Sequence, residues 1–441
     1  IFFYFIIEIV FAVYLWAWYK YPNEFVPRKS PLLLLILAFL IISFITSIFG
    51  VNFTNSFFST YERMDGVFNL FHFVAFFVIL SSVLKEQKEW INIFRVSLFV
   101  SFLVSIYIFG VYILKFSWLY YGNSSATIGN PLYLGAYLIP HIFLGFYFIY
   151  DYLRNKVLNK FLRNEVKLEF IRGSNFSLLN KVKNKVLNKF LLNKVKLEFI
   201  RGSNLKNNFT PHSVCGVDRV DNINSKVVPH SVCGVKKYLY SFWLWFCVVI
   251  TGLNIWALFF SAERGPQLGL YGGIIIAGIL YFIFIIRNKK IAFKKIALTY
   301  GAALIILIII GFLSWNTRPI ERLKTIVDFS DASSKSRLIT WGVAWEGIKD
   351  RPILGWGTGN FIIAEGYHYN PTRLASVNIN FDKIHNKVLE VGINSGFLGM
   401  ISYLSIFALV VYILFKNRKE HEIYSSIFIG LFSAYFIQNL T

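Results

Sequence analysis

SRLITWGVAWEGIKDRPILGWGTGNF at residues 336–361 and KIHNKVLEVGINSGFLG at residues 383–399 decide how the chain is read. They bound a stretch that is too polar to span a bilayer, in a chain otherwise made of apolar runs and short connectors. Arg337 comes first, then Pro352 with Gly355, Gly357 and Gly359, then His385 and Asn386. Gly396 and Gly399 lead into a new apolar run. A polar loop of this size between two apolar segments is longer than a connection needs, and long structured loops carry function.

Working outward, apolar runs of about 18 or more residues recur along the chain, the signature of a polytopic α-helical membrane protein. The 441 residues are 56% hydrophobic and 19% aromatic, with a mean hydropathy of +0.55. Hydropathy predicts about ten spans, near 1–19, 32–49, 66–84, 92–114, 132–150, 238–260, 268–286, 292–313, 396–415 and 422–440. Ile1 and Phe436–Thr441 lie inside apolar runs, so both ends read as cut within spans.

The net charge of +22 does not point to nucleic acid. The charge lies in particular loops, as membrane topology demands, and no nucleic-acid fold signature accompanies it. Lys20, Arg28 and Lys29, then Lys85 and Lys88, then 151–237, then Arg287 to Lys295, then Lys416 to Lys419 form a basic set of loops. The alternate loops, 50–65, 115–131, 261–267 and 314–395, fall on the other side. Short basic loops stay in the cytoplasm, so 314–395, Arg63 and Arg264 are expected outside. Three cysteines make no disulfide framework.

The expected division is therefore 1–150 (five spans), 151–237 (a basic cytoplasmic insertion), 238–313 (three spans), 314–395 (the outer loop) and 396–441 (two spans). Within the insertion, residues 155–175 recur at 184–204 with two differences, Arg163/Leu192 and Glu165/Lys194. PHSVCGV at 211–217 recurs at 229–235. Two copies are too few for a solenoid and imply a duplicated segment. His212, Cys215, His230 and Cys233 match a zinc set in type, but the duplication alone explains the pairing.

The motifs of the outer face each have a plain structural reading beside a functional one. Arg264, in SAERGPQ, is either a phosphate-binding group or an arginine snorkelling at the interface. Arg337 opens a predicted helix over 336–349, capped by Ser333 or Ser334, with Trp341, Ala344, Trp345 and Ile348 on its face. GWGTG at 355–359 is either a phosphate cradle, with Gly357 binding substrate, or a tight turn after Pro352. His385 and Asn386 precede a helix and are either structural or catalytic. Asp328 and Asp331 lack a third metal ligand.

Together these motifs resemble the O-antigen ligase and O-antigen polymerase family. The resemblance rests on the Arg-Gly loop, on S-R-x-x-x-W at 336–341, on P-x-x-G-x-G-x-G-x-F at 352–361, and on the His385-Asn386 stretch running to Gly399. SFFSTYERMDGVF at 56–68 and SATIGNPLYLGAYL at 125–138 add to it. Glu263 stands where the family tends to have a small polar residue, the family tends to about twelve spans, and 151–237 has no counterpart.

The resemblance implies an all-α helical bundle of the membrane glycosyltransferase type, with a large extracytoplasmic helical loop. It implies transfer of a glycan from an undecaprenyl diphosphate carrier to a glycan, lipid A-core or protein hydroxyl at the outer face of the bacterial inner membrane. No cofactor or metal is implied. Arg264 and Arg337 would hold the diphosphate, whose charge grows as it leaves, and guanidinium groups suit that task. His385 would be the base, with Asn386 and Gly357 at the substrate. Arg264, Arg337 and His385 are expected to meet in one cleft at the membrane surface. Ligase, polymerase and protein O-glycosyltransferase share these motifs. A transporter of lipid-linked sugars would place more ionisable groups inside the spans than Glu8 and Arg95.

Overall fold

The computed structural model describes residues 2–60, 64–112, 128–171, 230–261, 263–288, 332–368, 383–419 and 421–440. Its helices, in chain order, are α1 (Phe2–Lys20), α2 (Pro22–Phe25), α3 (Pro31–Ile48), α4 (Phe53–Phe58), α5 (Val67–Val83), α6 (Gln87–Tyr112) and α7 (Pro131–Ile171). They continue with α8 (His230–Phe260), α9 (Arg264–Asn288), α10 (Ala332–Asp350), α11 (Phe361–Tyr367), α12 (Lys387–Lys416) and α13 (Glu422–Gln438). The described residues contain no strand.

Seven of these helices are long and apolar enough to cross a membrane: α1, α3, α6, α7, α8, α9 and α12. Helix α5 is apolar but has 17 residues, the short end of the spanning range. This is a polytopic helical membrane protein. The predicted span at 292–313 lies outside the described residues.

Two compact units divide the chain, Ile1–Leu144 with Leu253–Thr441, and Gly145–Gly252. In the smaller unit, the halves of α7 and α8 pack at Gly145, where a Cβ would meet the Thr251 hydroxyl, and Phe148 meets Trp243 edge-on at 5.9 Å. Helix α7 runs past residue 150, the expected end of its span, and through most of the first copy of the duplicated block. The second copy, His212 and Cys215 lie outside the described residues.

In the larger unit, local chemistry sets the helix ends. Ser30 accepts the Leu33 amide at 3.1 Å and Pro31 opens α3, a cap of about 1 kcal/mol. Small residues set the packing. Gly269, Gly273 and Ala277 recur at intervals of four on α9 and face Gly430 and Ala434 of α13 so closely that a Cβ on Gly273 would lie 2.5 Å from the Gly430 carbonyl. Without a hydrophobic drive between helices in lipid, such close backbone approach is what holds them together. Asn254 of α8 is fully buried. It donates to Ser101 at 3.0 Å and accepts from Ser105 at 2.7 Å on α6.

One expected boundary moves. The last-but-one span does not begin at 396. Helix α12 starts at Lys387 and is broken at Ser395 and Gly396, whose dihedrals are not helical. The apolar run starts after this break, which is why hydropathy placed the helix start there. The expected boundary between outer loop and final spans therefore falls within one broken helix.

Candidate functional site

The glycine loop is a clasp. Gly355, Gly357 and Gly359 all have positive φ. The Trp356 amide donates to Ile393 at 2.8 Å and the Gly357 amide to Asn394 at 2.9 Å, beside the break in α12. On the other side, the Trp356 carbonyl accepts from Val51 at 3.0 Å, and a Cβ on Gly50 would lie 2.8 Å from Gly357 Cα. Asn360, fully buried, donates to Ser56 at 2.9 Å and to the Trp356 carbonyl. The Trp356 indole donates to Gly347 of α10. The loop thus joins the α3–α4 corner, α10 and α12. The phosphate-cradle reading, and Gly357 as a substrate-binding residue, do not fit: a cradle needs amides pointing at the ligand, whereas the Gly357 amide is engaged and the residue buried.

Helix α10 carries Arg337. It starts at Ala332, earlier than its sequence suggested, so Ser333 and Ser334 lie within its first turn instead of capping it. Ser334 has another partner: Arg264 Nη1 donates to its hydroxyl at 3.2 Å. Arg264 is buried at 8% exposure. It opens α9 and reaches across to α10, so it does not snorkel towards bulk water. Ala344 and Ile348 face the loop core with Trp356 and Ile384, as their spacing predicted. Trp345 is exposed, and its ring meets Phe397 edge-on at 6.3 Å.

The middle of α10 holds the histidine stretch. The Trp341 indole donates to the Ile384 carbonyl at 3.0 Å, and Ile384 is fully buried. Ser334, Arg337 or Leu338, and Trp341 recur at helical spacing on one side of α10. One helix therefore engages the Arg264 tip at Ser334, carries Arg337, and fixes the residue before His385. The two attachment points lie about 10 Å apart along its axis.

His385 is exposed and sits at φ +54°, a left-handed conformation that is uncommon for non-glycine residues and is held where the surroundings fix it. Here they do. On one side Ile384 is held by Trp341. On the other, Asn386 caps α12, its side-chain oxygen accepting from Val388 and Leu389, and the Lys387 amide donates to Asn439 at 2.8 Å. Asn386, expected at the substrate, uses its oxygen to cap the helix.

A residue that sequence did not single out completes the clamp. Asp65 precedes α5 and pairs with Lys383 at 3.1 Å, while Ser59 donates to its other oxygen at 2.6 Å. Burial opposes ionisation of Asp65, but the Ser59 hydroxyl and the Lys383 ammonium outweigh it and hold its carboxyl below the usual range. Ser59 and Met64 also have positive φ. The only sequence signal for this region was the family-like stretch 56–68. Of the acids that could replace His385 as base, Glu390 is paired with Lys387 at 2.5 Å and Asp382 lies outside the described residues. Glu365 belongs to α11. The described residues hold no cluster of three or more His, Cys, Asp or Glu arranged for a metal.

Comparison with known proteins sorts this arrangement. Residues 247–404 match the family described as O-antigen ligase. Over these residues the chain is similar to the O-antigen ligase family. The match contains Arg264, Arg337, the glycine clasp, His385 and the break in α12. The chain is also 26% identical over 182 residues to an uncharacterized Haemophilus influenzae protein, covering 38% of this chain and 44% of that one. It is 28% identical over 190 residues to the teichuronic acid biosynthesis protein TuaE of Bacillus subtilis, covering 41% of this chain and 37% of TuaE. The chain thus spans less than half of either relative. No solved structure matches it.

Proposed function

We propose that this protein, similar to the O-antigen ligase family, transfers a glycan from an undecaprenyl diphosphate carrier to an acceptor hydroxyl at the outer face of the bacterial inner membrane. The observation that carries this is helix α10, which engages Arg264 through Ser334, bears Arg337, and fixes the residue before His385. The family match and the similarity to a protein of teichuronic acid biosynthesis support a role in polysaccharide biosynthesis.

The chemistry follows from the groups. As the bond from the anomeric carbon to the diphosphate breaks, charge grows on the leaving oxygens. Arg264 and Arg337 oppose that charge with forked donors that stay protonated at any working pH. The acceptor hydroxyl attacks the anomeric carbon from the opposite face and yields its proton to the His385 imidazole, inverting the centre. The products are the glycosylated acceptor and undecaprenyl diphosphate. The strained backbone of His385 belongs with a group held in position for such a role. The acceptor itself, a growing polysaccharide, lipid A-core or protein, is set by surfaces beyond these groups.

The test is reconstitution. Purified protein in lipid nanodiscs, given an undecaprenyl diphosphate-linked glycan and a panel of acceptors, should release undecaprenyl diphosphate in step with one glycosylated acceptor. A protein that instead moves the intact lipid-linked glycan across a vesicle bilayer without breaking it would be a transporter, and the proposal would be lost.

A further inference from the structure

Gln267 is the least exposed polar residue near Arg264: its side chain is fully buried, and neither its amide oxygen nor its amide nitrogen has a hydrogen-bond partner. An amide buried in this way is destabilising until something pairs with it, and proteins rarely leave both ends unpaired. Gln267 lies three residues after Arg264 in the first turn of α9, a helix of 25 residues, so the two share a face. Helical side chains lean towards the N-terminus, which directs the Gln267 amide back over the turn that presents Arg264. The backbone there is closely packed. Gly265 and Pro266 are buried, and Pro266 fills the space beside Gly135 of α7. The Gln267 backbone amide is already bonded to Glu263, so only the side chain remains to receive a ligand.

From this we infer that Gln267 binds the sugar next to the diphosphate, pairing its amide with hydroxyls of that sugar while Arg264 takes the phosphate; this rests on the donor proposed above. The amide has one donor end and one acceptor end, both unpaired. A phosphate offers only acceptors and would leave the Gln267 oxygen unpaired. A sugar with adjacent hydroxyls offers a donor and an acceptor side by side, which matches a carboxamide. Gln267 is thereby a determinant of which first sugar the enzyme accepts. Buried polar groups reject analogues that cannot pair with them far more strongly than apolar pockets reject an extra group.

The experiment measures binding of two probes to the full chain in nanodiscs: undecaprenyl diphosphate, and the same lipid diphosphate carrying one hexose. The wild type should bind the hexose-bearing probe about tenfold more tightly, the scale of one or two net hydrogen bonds. Gln267→Met keeps the length and removes the amide. It should erase that preference while leaving binding of the bare diphosphate within about twofold. Arg264→Ala should weaken both probes. Equal binding of both probes by Gln267→Met and wild type alike would overturn the inference and leave the donor reading standing. Such an outcome would mean the amide is paired by buried water. Failure of wild type to bind either probe would instead remove the donor reading. Thermal unfolding of each variant verifies that it is folded. If Gln267→Met does not fold, Gln267→Asn, shorter by one methylene, should show the same loss of preference, and an unchanged preference in it would count against the inference.

Discussion

Asp65→Asn tests whether the clamp around His385 matters for turnover. The substitution keeps the shape of the side chain and an oxygen for Ser59, but removes the charge that pairs with Lys383 at 3.1 Å. Both side chains are less than a third exposed, so the pair lies between an exposed ion pair, worth under about 1 kcal/mol, and a charge-assisted hydrogen bond, worth about 1.5–3 kcal/mol. A loss of about 1–2 kcal/mol follows. If all of it appears as disorder of residues 383–385 in the transition state, kcat falls about 5- to 30-fold with donor binding little changed.

The effect also has a pH signature. The carboxyl is depressed in the folded protein, so its contribution is present above the unfolded value near 4 and is lost as pH falls through the lower folded value. The stability difference between wild type and Asp65→Asn should therefore be complete at neutral pH, begin to fall near pH 4 and be lost only once the pH passes below the folded value. The assay is transfer kinetics on the reconstituted protein, with the charge-reversed pair Asp65→Lys and Lys383→Asp as rescue. A kcat within twofold of wild type in Asp65→Asn, or no recovery in a folded reversed pair, would refute the positioning role.

The remaining predictions concern the break in α12, the insertion and the orientation. Gly396→Ala places a Cβ 2.3 Å from the Ile353 carbonyl at φ +63° and should cost about 3–5 kcal/mol in thermal unfolding. Gly342→Ala on α10, where a Cβ meets nothing within 4 Å, should be neutral or stabilising, and equal effects of the two would refute the clasp. Deleting 155–235, which holds both copies of the duplicated block, should leave transfer largely intact; loss of activity in a stably inserted deletion would show that the insertion takes part. In a background with Cys215, Cys233 and Cys247 replaced by Ser, Tyr367→Cys, at a 75% exposed position, should react with an impermeant thiol reagent in spheroplasts. Lys29→Cys should not, and the reverse pattern would overturn the orientation.

The spans were legible because apolar runs of membrane length have few other readings, and nine of the ten expected runs fall on described helices. Less visible was anything decided by a partner far along the chain. Ser334 looked like a cap because serine is a good one, but its hydroxyl receives Arg264 of another helix. Gly396 looked like the start of a span because the apolar run begins there, whereas Asn386 caps the helix ten residues before Gly396 completes the break. The glycine loop was legible as a turn, and its glycines do adopt positive φ, but only packing shows that its amides face Ile393 and Asn394. Asp65 and Gln267 lie inside quoted motifs, but nothing in the sequence singled either of them out. One depends on Lys383, and the other on being buried without a partner. The positive φ of His385 is set by its neighbours, Ile384, whose partner Trp341 lies far along the chain, and Asn386, which caps α12.

The central claim is that His385 takes the acceptor's proton while the arginines hold the donor. The most direct measurement is single-turnover transfer and donor binding on the same preparation of His385→Ala. The account predicts that transfer falls by about 100-fold or more, while the affinity for the undecaprenyl diphosphate-linked glycan stays within about twofold. Near-normal transfer by a folded His385→Ala protein would contradict it and return the role of base to Glu365, Asp382 or Glu390.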